Sequence, residues 1–272
     1  MGFSVNTNVG AMAALQSLND TNRALATTQS RINSGKNVGS TKDDSGTFAI
    51  AQTLRGDLGG LGGVNSSLNR AKSTVDVAIA GAEQISDLIN KMKSKAIEAA
   101  DAGLDEASRT ALAADFDGFK SQINTIIDSS AFNGTNLLKA GGGTVAALQS
   151  TSMAAAKLTV ANQDLTAVVT AFGATFTSAT TAATQVGVMD NQITAVNTKM
   201  SLLGAASRKI EGQQAFIGKL VDVIEAGVSN LVDADLAKES AKLQALQVKQ
   251  QLGVQALSIA NQAPQTIISL FR

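Results

Sequence analysis

Four amino acids are missing from this chain of 272 residues, and each absence excludes a kind of chemistry. Without cysteine there is no disulfide, no thiolate nucleophile and no zinc–thiolate centre. Without histidine the usual general base, the Ser-His triad and imidazole metal ligands are gone. Without tryptophan and tyrosine, aromatic platforms for sugars or single-stranded nucleic acid are reduced to nine phenylalanines. We therefore expect no catalytic residue, no metal site and no cofactor.

Charge and hydropathy exclude further classes. Basic and acidic residues number 22 each, so the formal net charge is zero, which argues against electrostatic binding to nucleic acid. Residues 1–22 contain no Lys or Arg, so the chain lacks the positive start of a cleaved secretory signal. No run of about 18 apolar residues predicts a transmembrane helix. These features fit either a cytosolic protein or one that is exported without a cleaved signal.

The chain is rich in apolar residues at alternating spacings of three and four, the heptad seam of helices that pack along their length. Weaker seams occupy 11–32 and 236–271, where Asn22, Gln29 and Gln250 either set the register or are simply tolerated. Further seams run through 112–126 and 186–231. The strongest seam predicts one long helix and is unbroken: Leu68, Ala71, Val75, Ala78, Ala82, Ile85, Ile89, Met92, Ala96 and Ala99.

Local signals predict where these helices begin and end. Gly35 stops the first helix, and Asp105 can cap the helix that carries the 112–126 seam. Asn-Gly at 133–134 is a strong tight-turn signal. The seam changes register at 232–235, which is a candidate domain boundary. Acidic residues at 43–44, 233 and 235 fit helix caps and joint contacts better than a cation site or an acid–base pair.

Two stretches depart from the helical pattern. Glycines at 59, 60, 62 and 63 each cost a helix roughly 1 kcal/mol relative to alanine. They predict a weak point, or a place where another helix approaches closely. Between 139 and 190 the chain is rich in Ser, Thr, Ala and Val, and Lys157–Val160 alternates in polarity like a strand. We expect a small β element there.

The predicted fold class is mainly α: long antiparallel heptad-patterned helices in a coiled-coil rod, with a small β-hairpin region. Heptad seams are more typical of an ordinary bundle core than of a polymer, and periodicity leaves both open. Several apolar residues lie off the last seam and need other partners: Val248, Val254, Ile259, Ile268 and Leu270.

The chain ends in ANQAPQTIISLFR at 260–272. This run is similar to the A-N-Q-x-P-Q-x-x-L-S-L-L-R ending of bacterial flagellins, with Ile268 and Phe271 in place of leucines. The start, VNTN at 5–8 with AAL at 13–15, also resembles the family. So do RINSG at 31–35 with KDDSG at 42–46, and FNG at 132–134. The resemblance covers about 1–138 and 180–272, with the motifs in the family's order.

The resemblance implies the flagellin D0/D1 architecture, in which terminal helices form an inner layer and flanking helices with a β-hairpin form the next. It implies these domains: 1–44, the D0 N-terminal helix; 45–138, the D1 N-terminal helices; 139–179, a variable β-hairpin region; 180–231, the D1 C-terminal helix; and 232–272, the D0 C-terminal helix.

The resemblance also implies a function. The chain is expected to be a non-enzymatic subunit that polymerises with itself into the flagellar filament for swimming, outside the cell. Its further partners would be the type III export apparatus, an export chaperone, and the hook-associated junction and cap proteins, with no nucleic acid or membrane. The expected self-assembly residues are Leu15, Leu18, Leu25, Ile32, Leu243, Leu246, Leu257, Pro264, Ile267, Ile268, Leu270, Phe271 and Arg272.

Two alternatives remain at this point. One is a flagellin-like hook–filament junction protein, which the short β insert and two complete terminal motifs disfavour. The other is a carboxylate-based enzyme in a helical bundle, which lacks a convergent site. Elongation of seeded filaments distinguishes the filament subunit from both.

Overall fold

A computed structural model describes residues 7–152, 156–173 and 176–270, with side chains through Gln262. The described elements follow in chain order: α1 (Val9–Ser34), α2 (Ser45–Ala99), α3 (Glu106–Ser129), β1 (Val145–Ala147), β2 (Leu158–Val160), α4 (Thr166–Ala171), α5 (Ala179–Val232) and α6 (Leu236–Leu270). The chain divides into a terminal unit, Met1–Gly56 with Val223–Arg272, and a central unit, Asp57–Asp222. In the described part of the chain, no helix combines the length and hydropathy of a membrane span.

The terminal unit is built on the antiparallel pairing of α1 with α6. The Asn8 side chain caps α1 by accepting from the Ala11 N–H at 3.0 Å, and its amide donates to the Ala260 carbonyl at 2.7 Å. At the other end, α1 stops at Gly35, whose φ of +69° is a left-handed cap that favours glycine. The predicted end at Gly35 is thereby confirmed. At the opposite end of α1, the N-cap residue Asn8 also contacts α6.

The predicted register change at 232–235 is a break between two helices. The α5 helix ends at Val232, and Ala234 N–H donates to the Gly35 carbonyl at 2.9 Å. The Val232 carbonyl accepts from Asn37 N–H at 2.7 Å, so the backbone groups freed by both helix ends satisfy one another. Val38 and Val232 are buried beside these bonds, which holds the joint together.

The central unit has its core along the predicted α2 seam. All ten seam residues from Leu68 to Ala99 are buried. The facing α5 helix buries one residue in seven along its seam: Met189, Val196, Leu203, Ile210 and Ile217. Polar pairs at the edges of this packing, Gln214 with Asn69 and Lys72 with Glu211, show that the two helices run antiparallel. The predicted mainly α fold with antiparallel helices is confirmed.

The α3 helix covers an apolar cluster that contains three phenylalanines. Asp105 is its N-cap, as predicted, and accepts from Ser108 N–H at 3.3 Å. Phe116 lies fully buried on its inner face, edge-to-face with Phe172 and Phe176 at centroid distances of 6.4 and 5.2 Å. The short α4 helix, which the sequence pattern did not predict, carries Phe172 at its end.

The small β element is a two-stranded antiparallel sheet in which Val145 pairs with Val160 and Ala147 with Leu158. These four residues are buried, while the alternate positions face outward, as the period of two requires. The turn before the sheet is also as predicted. Asn133 and Gly134 have φ of +48° and +81° between the paired residues Phe132 and Thr135.

The glycine-rich segment lies inside a continuous helix, and its predicted weakness stays a prediction. The α2 helix runs through residues 59–63 without a break, because its neighbouring turns supply all the backbone partners that the glycines need. The element that approaches closely is a loop and not a helix. A Cβ on Gly60 would meet the Thr151 methyl group at 2.6 Å, whereas Cβ atoms on Gly59, Gly62 and Gly63 would meet nothing within 4 Å.

Candidate self-assembly surface

The predicted self-assembly residues of α1 differ in how much of their surface is exposed. Leu15 is exposed, at 48% of its surface. Leu18, Leu25 and Ile32 are half-buried against α6, and the Leu18 methyl group lies 3.2 Å from where a Cβ on Gly253 would stand. Glycine at 253 therefore allows the helices to approach at this level. The N-terminal part of α1 leaves its apolar side open, and the rest is partly covered.

The α6 residues show the same grading. Leu246 is buried, and Leu243 and Leu257 are half-buried on the face toward α1. Pro264, Ile267, Ile268 and Leu270 are in the α6 helix, but their side chains lie outside the described side chains. Phe271 and Arg272 lie outside the described residues. The predicted assembly role of all these residues stays a prediction.

A second set of apolar residues on this helix pair is about half exposed or more. Val248, Val254 and Ile259, which the sequence placed off the seam, are more than half exposed. Sequence reasoning missed the remaining members, Val9, Met12 and Leu252, although the signal was the same: an apolar residue off the seam of an amphipathic helix. We call Val9, Met12, Leu15, Val248, Leu252, Val254 and Ile259 the open face.

A groove of about 540 Å³ adjoins the open face between α1 and α6. Leu246, Leu252 and Gly253 line it from α6, and Ala24 lines it from α1, with Asp20 and Lys249 among its polar lining residues. Exposed apolar residues beside a groove with charged lining residues are typical of a protein-binding surface.

A buried polar cluster lies between α1 and α6 near the joint. Arg31 Nη1 is 3.4 Å from Glu239 Oε1, and only 8% of the Glu239 surface is exposed. Thr28 is fully buried beside them, and its Oγ1 has no hydrogen-bond partner, nor do Arg31 Nε and Glu239 Oε2. Since burial of a charge is costly without its partner, the cluster favours one alignment of the two helices.

The acidic residues near the joint act as caps. Asp44 accepts from Thr47 N–H at 3.1 Å and from the Thr47 hydroxyl at 2.7 Å, and this hydroxyl lowers the pKa of its carboxyl. Asp43 accepts from the Gly39 and Ser40 N–H groups, which likewise lower its pKa. Asp235 caps α6 through Ala237 and Lys238 N–H. The predicted capping role is therefore confirmed for Asp44 and Asp235.

The described side chains were also searched for catalytic and metal-binding arrangements. Among them, no three Asp or Glu residues come together as metal ligands would. The carboxylates whose pKa values are lowered belong to helix caps or capped turns, so their hydrogen bonds hold the backbone in place.

A chain of paired helices with an open apolar face belongs to the class of proteins that complete their packing by association. Comparison with known proteins then defines the family. The model of the bacterial flagellin N-terminal helical region matches residues 5–142, and that of the C-terminal helical region matches residues 186–271.

Whole-length relatives agree with these two matches. Flagellin FljM and flagellin FljK of Caulobacter vibrioides are each 44% identical, over 277 and 269 residues, covering 99% of this chain and 98% of theirs. A flagellin of Brucella melitensis is 33% identical over 281 residues, covering 99% of both chains. The chain belongs to the bacterial flagellin family, and it is a structural subunit of the extracellular flagellar filament.

A solved structure shares the fold. A putative flagellar hook-associated protein from Vibrio parahaemolyticus superposes with a TM-score of 0.57, covering 70% of this chain and all of that one. At 11% identity this similarity concerns the fold alone, so it does not favour a junction role over the filament role.

Proposed function

We propose that this flagellin polymerises through its terminal unit, with the open face buried against the α1–α6 pairs of neighbouring copies. The observation that supports the proposal is that seven apolar side chains of the open face are 48–72% exposed in the single chain. Burying apolar surface releases roughly 25 cal/mol per Å², so association of many copies offsets the exposure that one helix pair leaves.

The predicted assembly residues fall into two groups under this proposal. Leu18, Leu25, Ile32, Leu243, Leu246 and Leu257 face the partner helix and align α1 with α6. Leu15 contacts neighbouring copies, together with the C-terminal residues Pro264, Ile267, Ile268, Leu270, Phe271 and Arg272. Loss of the first group unfolds the helix pair, whereas loss of the second leaves it folded and unable to elongate.

The proposed domain division follows the family architecture: D0 helices at 1–44 and 232–272, D1 helices at 45–138 and 180–231, and a variable hairpin region at 139–179. The joint at Gly35 and Val232 supports a boundary near these positions, because both helices end there. We also propose that the subunit has no enzymatic activity, leaves the cell through the flagellar export apparatus with a chaperone and without signal cleavage, and meets junction and cap proteins at the filament ends.

Seeded elongation of the purified chain tests the assembly proposal. Leu252→Ser and Ile259→Ser remove open-face contacts, and we expect each to raise the critical concentration about tenfold or more. A chain that ends at Ala256 should not elongate but should retain the helical circular dichroism of the central unit. Gln52→Ser, on the exposed α2 surface, is the matched control. Normal elongation of the shortened chain would exclude a role for the C-terminal segment in assembly.

A further inference from the structure

On the α5 helix of the central unit, two exposed apolar residues and a lysine lie beside the buried seam. Leu202, Lys209 and Phe216 are seven residues apart and therefore stack on one face of the helix. Gly212 and Lys219 flank them on the adjacent ridge, and all five residues are exposed. We call this set the Phe216 stripe. Such outer positions of a packed helix are commonly polar, so exposed apolar residues at heptad spacing are candidates for a contact.

Phe216 is the strongest indication of a contact. Its surface is 57% exposed, and it is the most exposed phenylalanine among the described residues, the others being buried or half-buried. An aromatic side chain beside glycine and flanked by lysines is typical of an interface anchor, because its large apolar ring lies among groups that keep the surface soluble.

A groove in the same unit has the complementary character. The α2–α3 groove has a volume of about 690 Å³ and lies between the end of α2 and the start of α3. Its apolar floor comes from Ile97, Leu104 and Leu112, of which Ile97 is 54% exposed. Its rim carries three carboxylates: Glu98, Asp101 and Asp115.

The two surfaces carry charges of opposite sign. Lys95 lies 3.6 Å from Glu98 and 3.5 Å from Asp115. The Arg109 guanidinium donates to the Asp101 and Leu104 carbonyls, so three carboxylates and two cations leave the groove with a net charge of −1. Among the described residues, neither Lys209 nor Lys219 has a carboxylate within 4.0 Å. The stripe therefore offers two unpaired positive charges beside an apolar anchor.

We propose that the α2–α3 groove receives the Phe216 stripe of a second copy of this chain. Both surfaces are open in the single chain, so neither covers the other within it. A groove and a stripe on one subunit make a head-to-tail contact, and a head-to-tail contact that does not close propagates as an open filament. The proposal rests on the self-assembly of the chain and adds a contact of the central unit to that of the terminal helices.

An introduced disulfide tests the pairing directly, because the natural chain has no cysteine. Ala111→Cys places a thiol on the groove, and Gly212→Cys places one on the stripe, where a Cβ meets nothing within 4 Å. Filaments of the double variant should give a ladder of covalent oligomers under oxidation. Each single variant is the control and should give none, since one thiol finds no partner.

Charge reversal supplies a second measurement that does not depend on introduced thiols. Lys209→Glu with Lys219→Glu should slow seeded elongation about tenfold at low salt, since steering charges act on the association rate. Adding Glu98→Lys and Asp101→Lys to the same chain should restore the rate. Lys91→Glu, an exposed α2 residue outside the groove lining, is the matched control.

The outcomes separate this inference from the proposed function. If wild-type filaments form but the double cysteine variant gives no ladder and the reversed chain elongates normally, the groove–stripe contact is wrong and self-assembly stands. If the wild-type chain does not elongate from seeds, self-assembly itself fails. A ladder together with rescue by the swapped charges supports the contact.

Discussion

The Gln250 side-chain amide donates a 2.8 Å hydrogen bond to the Asn22 side-chain oxygen, joining α6 to α1 at positions where the seam interrupts its apolar pattern. Gln214 makes the equivalent bond to Asn69 at 2.7 Å in the central unit. The polar seam residues in these bonds thus meet amide partners on the facing helix. Such pairs favour one register, because any slip leaves a polar group against an apolar one.

Replacing Asn22 and Gln250 together by leucine removes the hydrogen bond and adds apolar contact. Asn22 is exposed and Gln250 half-buried, so we expect the free energy of unfolding of the terminal unit to change by only about 1 kcal/mol. The double variant should instead loosen the register of α1 against α6. Its filaments should then be heterogeneous in width or curvature by electron microscopy. Uniform filaments from this double variant would mean that the apolar residues alone set the alignment.

We expect the terminal unit to lose stability when one partner of the Arg31–Glu239 pair is removed, and to lose much less when apolar residues replace both. Glu239→Ala leaves the Arg31 guanidinium without its carboxylate and should destabilise the terminal unit by about 2–4 kcal/mol. Arg31→Met with Glu239→Leu removes both charges and should recover most of that loss. Guanidinium denaturation followed by circular dichroism measures both. A double variant as unstable as Glu239→Ala would show that the pair itself, and not the orphaned charge, carries the stability.

Glycines in one helix should respond to alanine in opposite ways. A Cβ on Gly81 would collide with Ser130 Oγ and lie 2.9 Å from a Leu138 methyl group, so Gly81→Ala should destabilise the central unit by about 1–3 kcal/mol. Gly63→Ala meets nothing and should stabilise it by about 0.5–1 kcal/mol, through helix propensity. Chemical denaturation of the two variants checks the sign of each change.

Acid stability should depend on the Asp44 cap. The Thr47 hydroxyl lowers the pKa of this carboxyl below its ordinary value of 3.8, so its contribution is present above about pH 4 and is lost as the pH falls through the lower folded pKa. Asp44→Asn keeps a capping oxygen that does not titrate. The melting temperature of the terminal unit should then fall less steeply between about pH 4 and about pH 2 than in the natural chain. Equal slopes would show that this cap does not contribute to the acid transition.

The local features of the fold could be predicted from the sequence. The end of α1 at Gly35, the Asp105 cap, the Asn133–Gly134 turn and the buried seam from Leu68 to Ala99 depend on neighbouring residues or on the period of one helix. The β strand at Leu158–Val160 followed from its alternation. Four motifs in order also indicated the family before any coordinates, because chance agreement of four separated motifs is very rare.

Other features required the tertiary structure, because they depend on what faces a residue from elsewhere in the chain. The glycines at 59–63 predicted a weak point or a close approach by another helix, whereas in the structure only Gly60 among them has a close neighbour, Thr151 of a loop. Phe116 and Phe216 look alike in sequence. Phe116 packs edge-to-face against Phe172 and Phe176 and is buried, whereas Phe216 is exposed. Periodicity identifies the face of a helix that is apolar. Only packing decides which part of that face is covered within the chain and which part remains open for another copy.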